Sequence, residues 1–159
     1  VLTRALCALG LSDAQIRAAL AASFMVSADN AHAVHPNHPE YADPGNAPIM
    51  GGGLVIKYNA NLSYCTDSVS AAVFRKICGR AGVKVQTYHN RADLPGGSTL
   101  GRISLAHVSV PTVDIGLAQL AMHSCYETAA VSDAIDLETA MAAYYGSTLE
   151  ATESGFSIL

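Results

Sequence analysis

The chain has 159 residues, of which 50% are hydrophobic and only 14% are charged. That is enough sequence for one domain with a hydrophobic core, and the low charged fraction predicts that other protein covers part of its apolar surface. The net charge of −4 gives no electrostatic basis for binding nucleic acid or an anionic membrane. No apolar run approaches the roughly 20 residues of a membrane span. Because the chain starts at Val1 within a helical pattern and without a signal peptide, we expect it to be part of a longer polypeptide.

Hydrophobic periodicity predicts helices and strands that alternate along the chain. Two short helices, separated by a glycine, are predicted at residues 1–9 and 12–22, and a buried strand follows at 23–28. A strand at 54–57 leads into a helix that Thr66 or Ser68 caps and Gly79 closes. Strands are predicted at 83–88 and 112–115, and helices at 98–107 and 136–145, with no element after Gly146. This order is typical of an α/β fold with a largely parallel sheet flanked by helices.

A polar stretch follows the strand at 23–28 and holds one acid and three imidazoles: Asp29, His32, His35 and His38. Open α/β sheets place their ligand sites at the carboxyl ends of strands, where this stretch begins. Carboxylate and imidazole are suitable ligands for a zinc-type ion. Two prolines interrupt the three-residue spacing, so the histidines do not share a helix face. Solvated loop histidines are the alternative interpretation.

Two further polar residues follow predicted strands or apolar runs. Lys57 lies at the same edge of the sheet as Asp29 if the strands at 23–28 and 54–57 are parallel neighbours, and the alternative is an ordinary surface lysine. His123 follows the apolar run at 117–122, where a satisfied core histidine is the alternative to a functional one. The Gly-Gly-Ser-Thr segment at 96–99 has backbone N–H groups that can face an anion, although such glycine pairs more often form turns.

The four cysteines at positions 7, 65, 78 and 125 are widely separated and form no Cys-x-x-Cys pair. This spacing argues against a thiolate zinc site and against a disulfide framework. We interpret the cysteines as buried free thiols in a reducing compartment and expect a cytoplasmic protein.

Five sequence blocks together resemble the aspartyl aminopeptidase family. They occur in the family's order and spacing and cover most of residues 20–146. One departure is Gly96, where relatives commonly have Cys, and it leaves the role of that loop less defined. The blocks are Ser-Ala-Asp-Asn-Ala-His-Ala-Val-His-Pro-Asn at 27–37, Val-Ile-Lys-Tyr-Asn-Ala-Asn at 55–61, Tyr64 with Thr66-Asp67-Ser68, Gly-Ser-Thr-Leu-Gly at 97–101, and Asp-Ile-Gly with Ala-Met-His-Ser within 114–124.

The resemblance implies a dinuclear zinc exopeptidase that removes N-terminal Asp or Glu from peptides and assembles into a large homo-oligomer. By the same resemblance, Asp29 is the carboxylate ligand of one zinc ion and His123 the imidazole ligand of the other. Asp29, His32, Lys57 and Tyr64 correspond to substrate-contacting positions. His35 lies in the same block, and we assign it no ligand role.

The family's remaining site residues lie upstream of Val1: a first metal-binding His, a bridging Asp and an adjacent Glu pair that supplies the general base and a ligand. The inserted dimerisation domain is also missing. Residues 1–159 are therefore expected to be the C-terminal portion of a zinc-exopeptidase-like catalytic domain, with no catalytic residue of its own and no activity alone. The alternative is a non-catalytic fold fragment or assembly subunit.

Overall fold

The computed structural model describes residues 1–153 and 155–159. None of the described helices is long and apolar enough to cross a membrane. The α-helices are α1 (Leu2–Ala8), α2 (Asp13–Ala21), α3 (Ser68–Arg80), α4 (Leu100–Leu105) and α5 (Val131–Gly146). The strands are β1 (Met25–Ala28), β2 (Ala31–His32), β3 (Leu54–Tyr58), β4 (Val85–His89), β5 (Thr112–Gly116), β6 (Ala118–Leu120), β7 (Thr128–Ala129), β8 (Leu149–Thr152) and β9 (Gly155–Ile158).

The main sheet has four strands in the order β1-β5-β3-β4. β1 is parallel to β5 and β3 is parallel to β4, but β3 and β5 are antiparallel. The predicted α/β class is confirmed, with a mixed sheet in place of a largely parallel one. The condition under which Lys57 was placed at the edge of Asp29, that β1 and β3 are parallel neighbours, is not met, because β5 lies between these strands and runs opposite to β3.

Two of the predicted helices have different N-terminal boundaries in the structure. α3 is capped by Asp67, not by Thr66 or Ser68: the Asp67 carboxylate accepts from the Ser70 backbone N–H at 2.7 Å. α5 begins at Val131, five residues before the predicted start. Its first turn follows Ala130, which makes no side-chain cap hydrogen bond, so the sequence has no capping residue to mark this boundary.

The C-terminal segment, for which no element was predicted, forms the antiparallel hairpin β8–β9. The hairpin is held by contacts with distant parts of the chain. Arg80 of α3 donates to the Ile158 carbonyl at 2.9 Å, and the Phe156 ring packs edge-to-face on Phe24 at a centroid distance of 5.5 Å. Because these partners are far away in sequence, no local pattern predicts where the hairpin packs.

Both faces of the central strand β3 are buried, which explains its unbroken apolar run. Leu54 and Ile56 pack with Phe74 of α3 and Ile115 of β5 on one face. Val55 packs on the other face with a cluster that includes two tyrosines and alanines from β2 and β6: Ala31, Tyr64, Tyr88 and Ala118. Lys57 follows in the same strand and is also buried, which is unusual for a lysine.

The cysteines are free, but only Cys78 is fully buried. Burial raises the pKa of its thiol to about 11. The prediction that all four thiols are buried is wrong for Cys7 and Cys125, which are exposed on α1 and on the loop between β6 and β7.

An apolar cleft of about 460 Å³ lies beside β1, which pairs only with β5 among the described residues. Leu2 of α1 and Ile103 of α4 line the cleft, and their side chains are 48% and 59% exposed. An edge strand next to exposed apolar side chains promotes association with other protein.

We therefore expect residues 1–159, expressed alone, to aggregate or to pack loosely. Gel filtration and near-ultraviolet circular dichroism measure the two outcomes. Ile103→Glu should increase the soluble fraction because it places a charge in the cleft. The matched control is Ile135→Glu, at a position that is 58% exposed on α5 and not among the residues that line the cleft. A soluble monomer with a cooperative thermal transition would contradict this expectation.

Candidate functional site

Lys57 is the most deeply buried cation of the described residues, with 1% of its surface exposed. Its ammonium donates to the backbone carbonyls of Asp29 at 2.8 Å and Asn30 at 3.3 Å. Nζ also lies 3.9 Å from the Asp29 carboxylate. Burial lowers the pKa of Lys57, and the negative charges of Asp29 and Asp114 oppose that shift. The buried cation thus joins β3 to the segment that follows β1.

The sheet register explains how Lys57 reaches Asp29 although β1 and β3 are not neighbours. Ile56 of β3 pairs with Ile115 of β5, and Ile115 pairs with Ala28 of β1. Because β3 runs opposite to β1 and β5, Lys57 and Asp29 lie one residue to either side of this row, and the long Lys57 side chain reaches Asp29 diagonally across β5. The contact follows from the central position of β5 and not from a parallel pairing of β1 with β3.

Asp29 has a fixed backbone and an accessible carboxylate. Its N–H donates to the Ile115 carbonyl at 2.9 Å, and its own carbonyl accepts from Lys57. The side chain is 56% exposed. Gly116 lies against this segment so closely that a Cβ atom there would overlap the Asp29 carbonyl oxygen. Asp29 therefore presents a carboxylate to solvent from a rigid base, as a metal or substrate ligand requires.

Tyr64 covers the Lys57 ammonium. Its ring centroid is 5.0 Å from Nζ, a cation–π distance, and its ring packs against Tyr88 at 6.3 Å. Burial raises the pKa of the Tyr64 hydroxyl, and the negative charges of Asp29 and Asp114 raise it further. The hydroxyl therefore stays protonated at neutral pH and can act as a hydrogen-bond donor.

His32 and His123 lie at the ends of two paired strands of the small sheet: His32 is the last residue of β2, and His123 follows β6. β2, which ends at His32, is parallel to β6, which ends three residues before His123. Burial lowers the pKa of His32, and the positive charges of His123 and Lys57 lower it further. His32 is thus a neutral imidazole at pH 7.

His123 is exposed, so the interpretation as a satisfied core histidine is wrong. Its backbone is in the left-handed region, with φ of 67°, and its N–H donates to Glu127 Oε1 at 2.6 Å. Non-glycine residues adopt this conformation where the surroundings fix them, often at functional sites. The imidazole is therefore held at the surface by the backbone of the loop.

The histidines further along the loop belong to a polar cleft of about 420 Å³ that also includes His32. His35 Nδ1 accepts from the Asn37 N–H at 3.2 Å, and His38 Nδ1 lies 3.0 Å from Glu40 Oε1. In the described part of the chain, no group of three His, Cys, Asp or Glu side chains is placed to hold a metal ion. The three histidines of this stretch do not form a metal site among themselves.

Asp114 is a site residue to which the sequence analysis gave no role. It is fully buried in β5, and its carboxylate accepts from the Thr99 hydroxyl at 2.7 Å and from the Cys65 N–H at 2.5 Å. The sequence could have indicated this role, because Asp114 stands between two apolar residues of a predicted buried strand. A carboxylate buried there needs hydrogen-bond donors from the protein. Thr99 thus binds a carboxylate of the protein itself. The Gly-Gly-Ser-Thr segment, which ends at Thr99, therefore helps to hold Asp114.

These features define an α/β protein with a polar site assembled across one sheet, where an exposed carboxylate lies above a buried ammonium and a protonated tyrosine. The family model described as Aminopeptidase I zinc metalloprotease (M18) matches residues 1–145. The chain belongs to this M18 family, which confirms the family resemblance found in the sequence.

Relatives and solved structures agree with this assignment. The probable M18 family aminopeptidase 2 of Mycobacterium leprae is 45% identical over 130 residues, which cover 82% of this chain and 30% of that protein. A chain of the cryo-EM structure of the Ape4 and Nbr1 complex superposes with a TM-score of 0.81 at 35% identity, covering 88% of this chain and 27% of that chain. The S. cerevisiae mApe1 dodecamer gives a TM-score of 0.69 at 27% identity, covering 78% and 27%. The chain thus spans about a third of the length of the curated relatives it matches.

We expect Gly116→Ala to disrupt the site, because the new methyl group would displace the Asp29 carbonyl from Lys57. Overpacking of this kind costs about 1–3 kcal/mol of unfolding free energy, measured by denaturant titration of the protein. The control is Gly79→Ala, at an exposed position of α3 with no atom within 4 Å of the added Cβ. It should stabilise the protein by about 0.5–1 kcal/mol. Equal effects of the two substitutions would contradict the close contact at Gly116.

Proposed function

We propose that this chain is the C-terminal portion of the catalytic domain of a zinc aminopeptidase that releases N-terminal Asp or Glu from peptides. Membership of the M18 family supports the peptidase class. The observation that carries the finer proposal is the buried Lys57 ammonium beneath the Asp29 carboxylate and beside Tyr64. A cation in this position is suited to the side-chain carboxylate of an acidic first residue.

Asp29 and His123 are the proposed zinc ligands of this chain. The donor types fit, since zinc takes carboxylate oxygen and imidazole nitrogen, and both side chains are accessible. They do not complete a site, because the described residues hold no group of three suitable side chains. The remaining ligands and the general base, an expected Glu, would come from polypeptide outside residues 1–159. When bound, two zinc ions would supply a polarised substrate carbonyl and an activated water.

The chain's own residues have distinct proposed tasks toward the substrate. Tyr64 keeps its hydroxyl proton and can donate to the substrate carbonyl or to the negative oxygen that develops from it. His32, neutral at pH 7, can exchange a hydrogen bond with the peptide. Lys57 gives two of its N–H groups to the carbonyls of Asp29 and Asn30, which leaves one for an incoming carboxylate.

We further propose that the other part of the same enzyme covers the free side of β1 and the adjacent apolar cleft. The exposed Leu2 and Ile103 side chains support this, as does the length of the relatives. The complete protein is proposed to be a cytoplasmic homo-oligomer. One solved M18 relative is described as a dodecamer. The net charge of −4 gives no electrostatic support for nucleic acid or membrane partners.

The competing proposal is a non-catalytic fragment or assembly subunit. The incomplete set of metal ligands within the described residues favours it. The two proposals differ in zinc content, since only the peptidase requires a completed metal site.

We expect the full-length enzyme to hold two zinc ions per site and residues 1–159 alone to bind zinc weakly. Asp29→Ala and His123→Ala should each reduce the zinc content by about one ion, because each removes a ligand of a different ion. Inductively coupled plasma mass spectrometry after dialysis measures this directly. His38→Ala serves as the control, since that imidazole is assigned to no ion. Unchanged zinc content in both ligand variants would refute the assigned roles.

We expect Lys57→Met to reduce kcat/KM for peptides with N-terminal Asp, because the variant retains the stem and loses the charge. A charge-assisted hydrogen bond is worth about 1.5–3 kcal/mol, so the decrease should be about ten- to a hundredfold. Peptides with N-terminal Ala should be affected far less. Lys76→Met, at an exposed position of α3, should change neither substrate. An equal decrease on both substrates would mean that Lys57 supports the structure of the site and does not select the substrate.

A further inference from the structure

The loop that carries Tyr64 is fixed on both sides of the tyrosine. The carbonyl of Ser63 accepts from the Thr99 N–H at 3.4 Å. The Cys65 N–H donates to the Asp114 carboxylate, and the Thr66 hydroxyl accepts from the Asp114 N–H at 2.8 Å. Both neighbours of Tyr64, and Thr66 after them, are therefore bound by two residues far away in the sequence, Thr99 and Asp114.

Thr99 and Asp114 are also bound to each other. The Thr99 hydroxyl donates to one carboxylate oxygen of Asp114 at 2.7 Å, and the other oxygen accepts from Cys65. Thr99 is 4% exposed and Asp114 is fully buried, so water does not compete for these hydrogen bonds. Neither side chain contacts Lys57 or Asp29 through a hydrogen bond in the described residues. Their hydrogen bonds reach the site through the Tyr64 loop, and the negative charge of Asp114 also acts on Lys57.

The start of α4 is also in close contact with Thr99 and Asp114. The Gly101 N–H donates to Ser27 Oγ at 3.1 Å, two residues before Asp29. A Cβ atom at Gly101 would lie 2.9 Å from Asp114 Oδ1, so the helix lies directly against the carboxylate. The helix therefore leaves Asp114 and Thr99 little freedom to move.

We propose that Asp114 and Thr99 are positioning residues that hold Tyr64 in place for the reaction. This proposal rests on the proposed aminopeptidase function and on the part of Tyr64 in it. Asp114 holds the residues that follow Tyr64, and Thr99 holds the residue that precedes it. Because a small displacement of a hydrogen-bond donor reduces catalysis strongly, the two residues act on turnover without touching the substrate.

A double-mutant cycle in the full-length enzyme tests whether they act through Tyr64. Thr99→Val keeps the shape and removes the hydroxyl, and Asp114→Asn removes the charge and replaces one of the two acceptor oxygens by an N–H donor. We expect each variant to lower kcat roughly tenfold with little change in KM, because a displaced Tyr64 hydroxyl stabilises the transition state less well. In the Tyr64→Phe background, which lacks the tyrosine hydroxyl, neither substitution should lower kcat further. Thr99→Ser retains the hydroxyl and should restore kcat.

Hydrogen exchange measured by mass spectrometry tests the anchoring without reference to activity. Thr99→Val and Asp114→Asn should accelerate exchange at residues 63–66, while β3 and β4 remain protected as in the unmodified enzyme. Unchanged exchange at residues 63–66 would overturn the proposal, as would equal losses of kcat with and without the Tyr64 hydroxyl. An enzyme that lacks aminopeptidase activity but shows the local acceleration would instead refute the proposed function and retain the anchoring.

Discussion

The burial of the Lys57 ammonium is the interaction on which the site depends. Removing an ammonium ion from water costs several kcal/mol, and this cost has to be offset by well-placed acceptors. The carbonyls of Asp29 and Asn30 provide them, with the Tyr64 ring above and two carboxylates nearby. Since these groups come from the segment after β1 and the loop after β3, the cation can be buried only when those parts of the chain are correctly arranged.

β5 makes that arrangement possible because it lies between the two strands and contributes to both sides. Its backbone pairs with β1 and with β3, Gly116 leaves room for the Asp29 carbonyl, and Asp114 binds the loop of Tyr64. The exposed carboxylate of Asp29 and the protonated hydroxyl of Tyr64 are thus fixed by the same strand. A rigid base of this kind is what a metal or substrate ligand requires for precise placement.

Two features have a common interpretation: the described residues hold no group of three candidate metal ligands, and an apolar cleft is exposed. In the described residues, the site has carboxylate and imidazole donors but no group of three, and β1 has one neighbouring strand. Both features are explained if the rest of an M18 aminopeptidase packs against β1 and brings its own ligands. The chain's length, about a third of its curated relatives, agrees with this interpretation.

Local periodicity and motifs were sufficient to predict the α/β class, the approximate positions of β1, β3, α3 and β5, and the family. The assignments of Asp29, His32, Lys57, Tyr64 and His123 to the site also came from motifs, and their roles are still predictions. The mixed strand order, the packing of the β8–β9 hairpin, the burial of Lys57 and the contacts of Asp114 could be read only from the folded chain. The reason is physical: each depends on atoms far apart in sequence, such as Arg80 with Ile158 or Asp114 with Cys65, and no local pattern encodes which distant groups will meet.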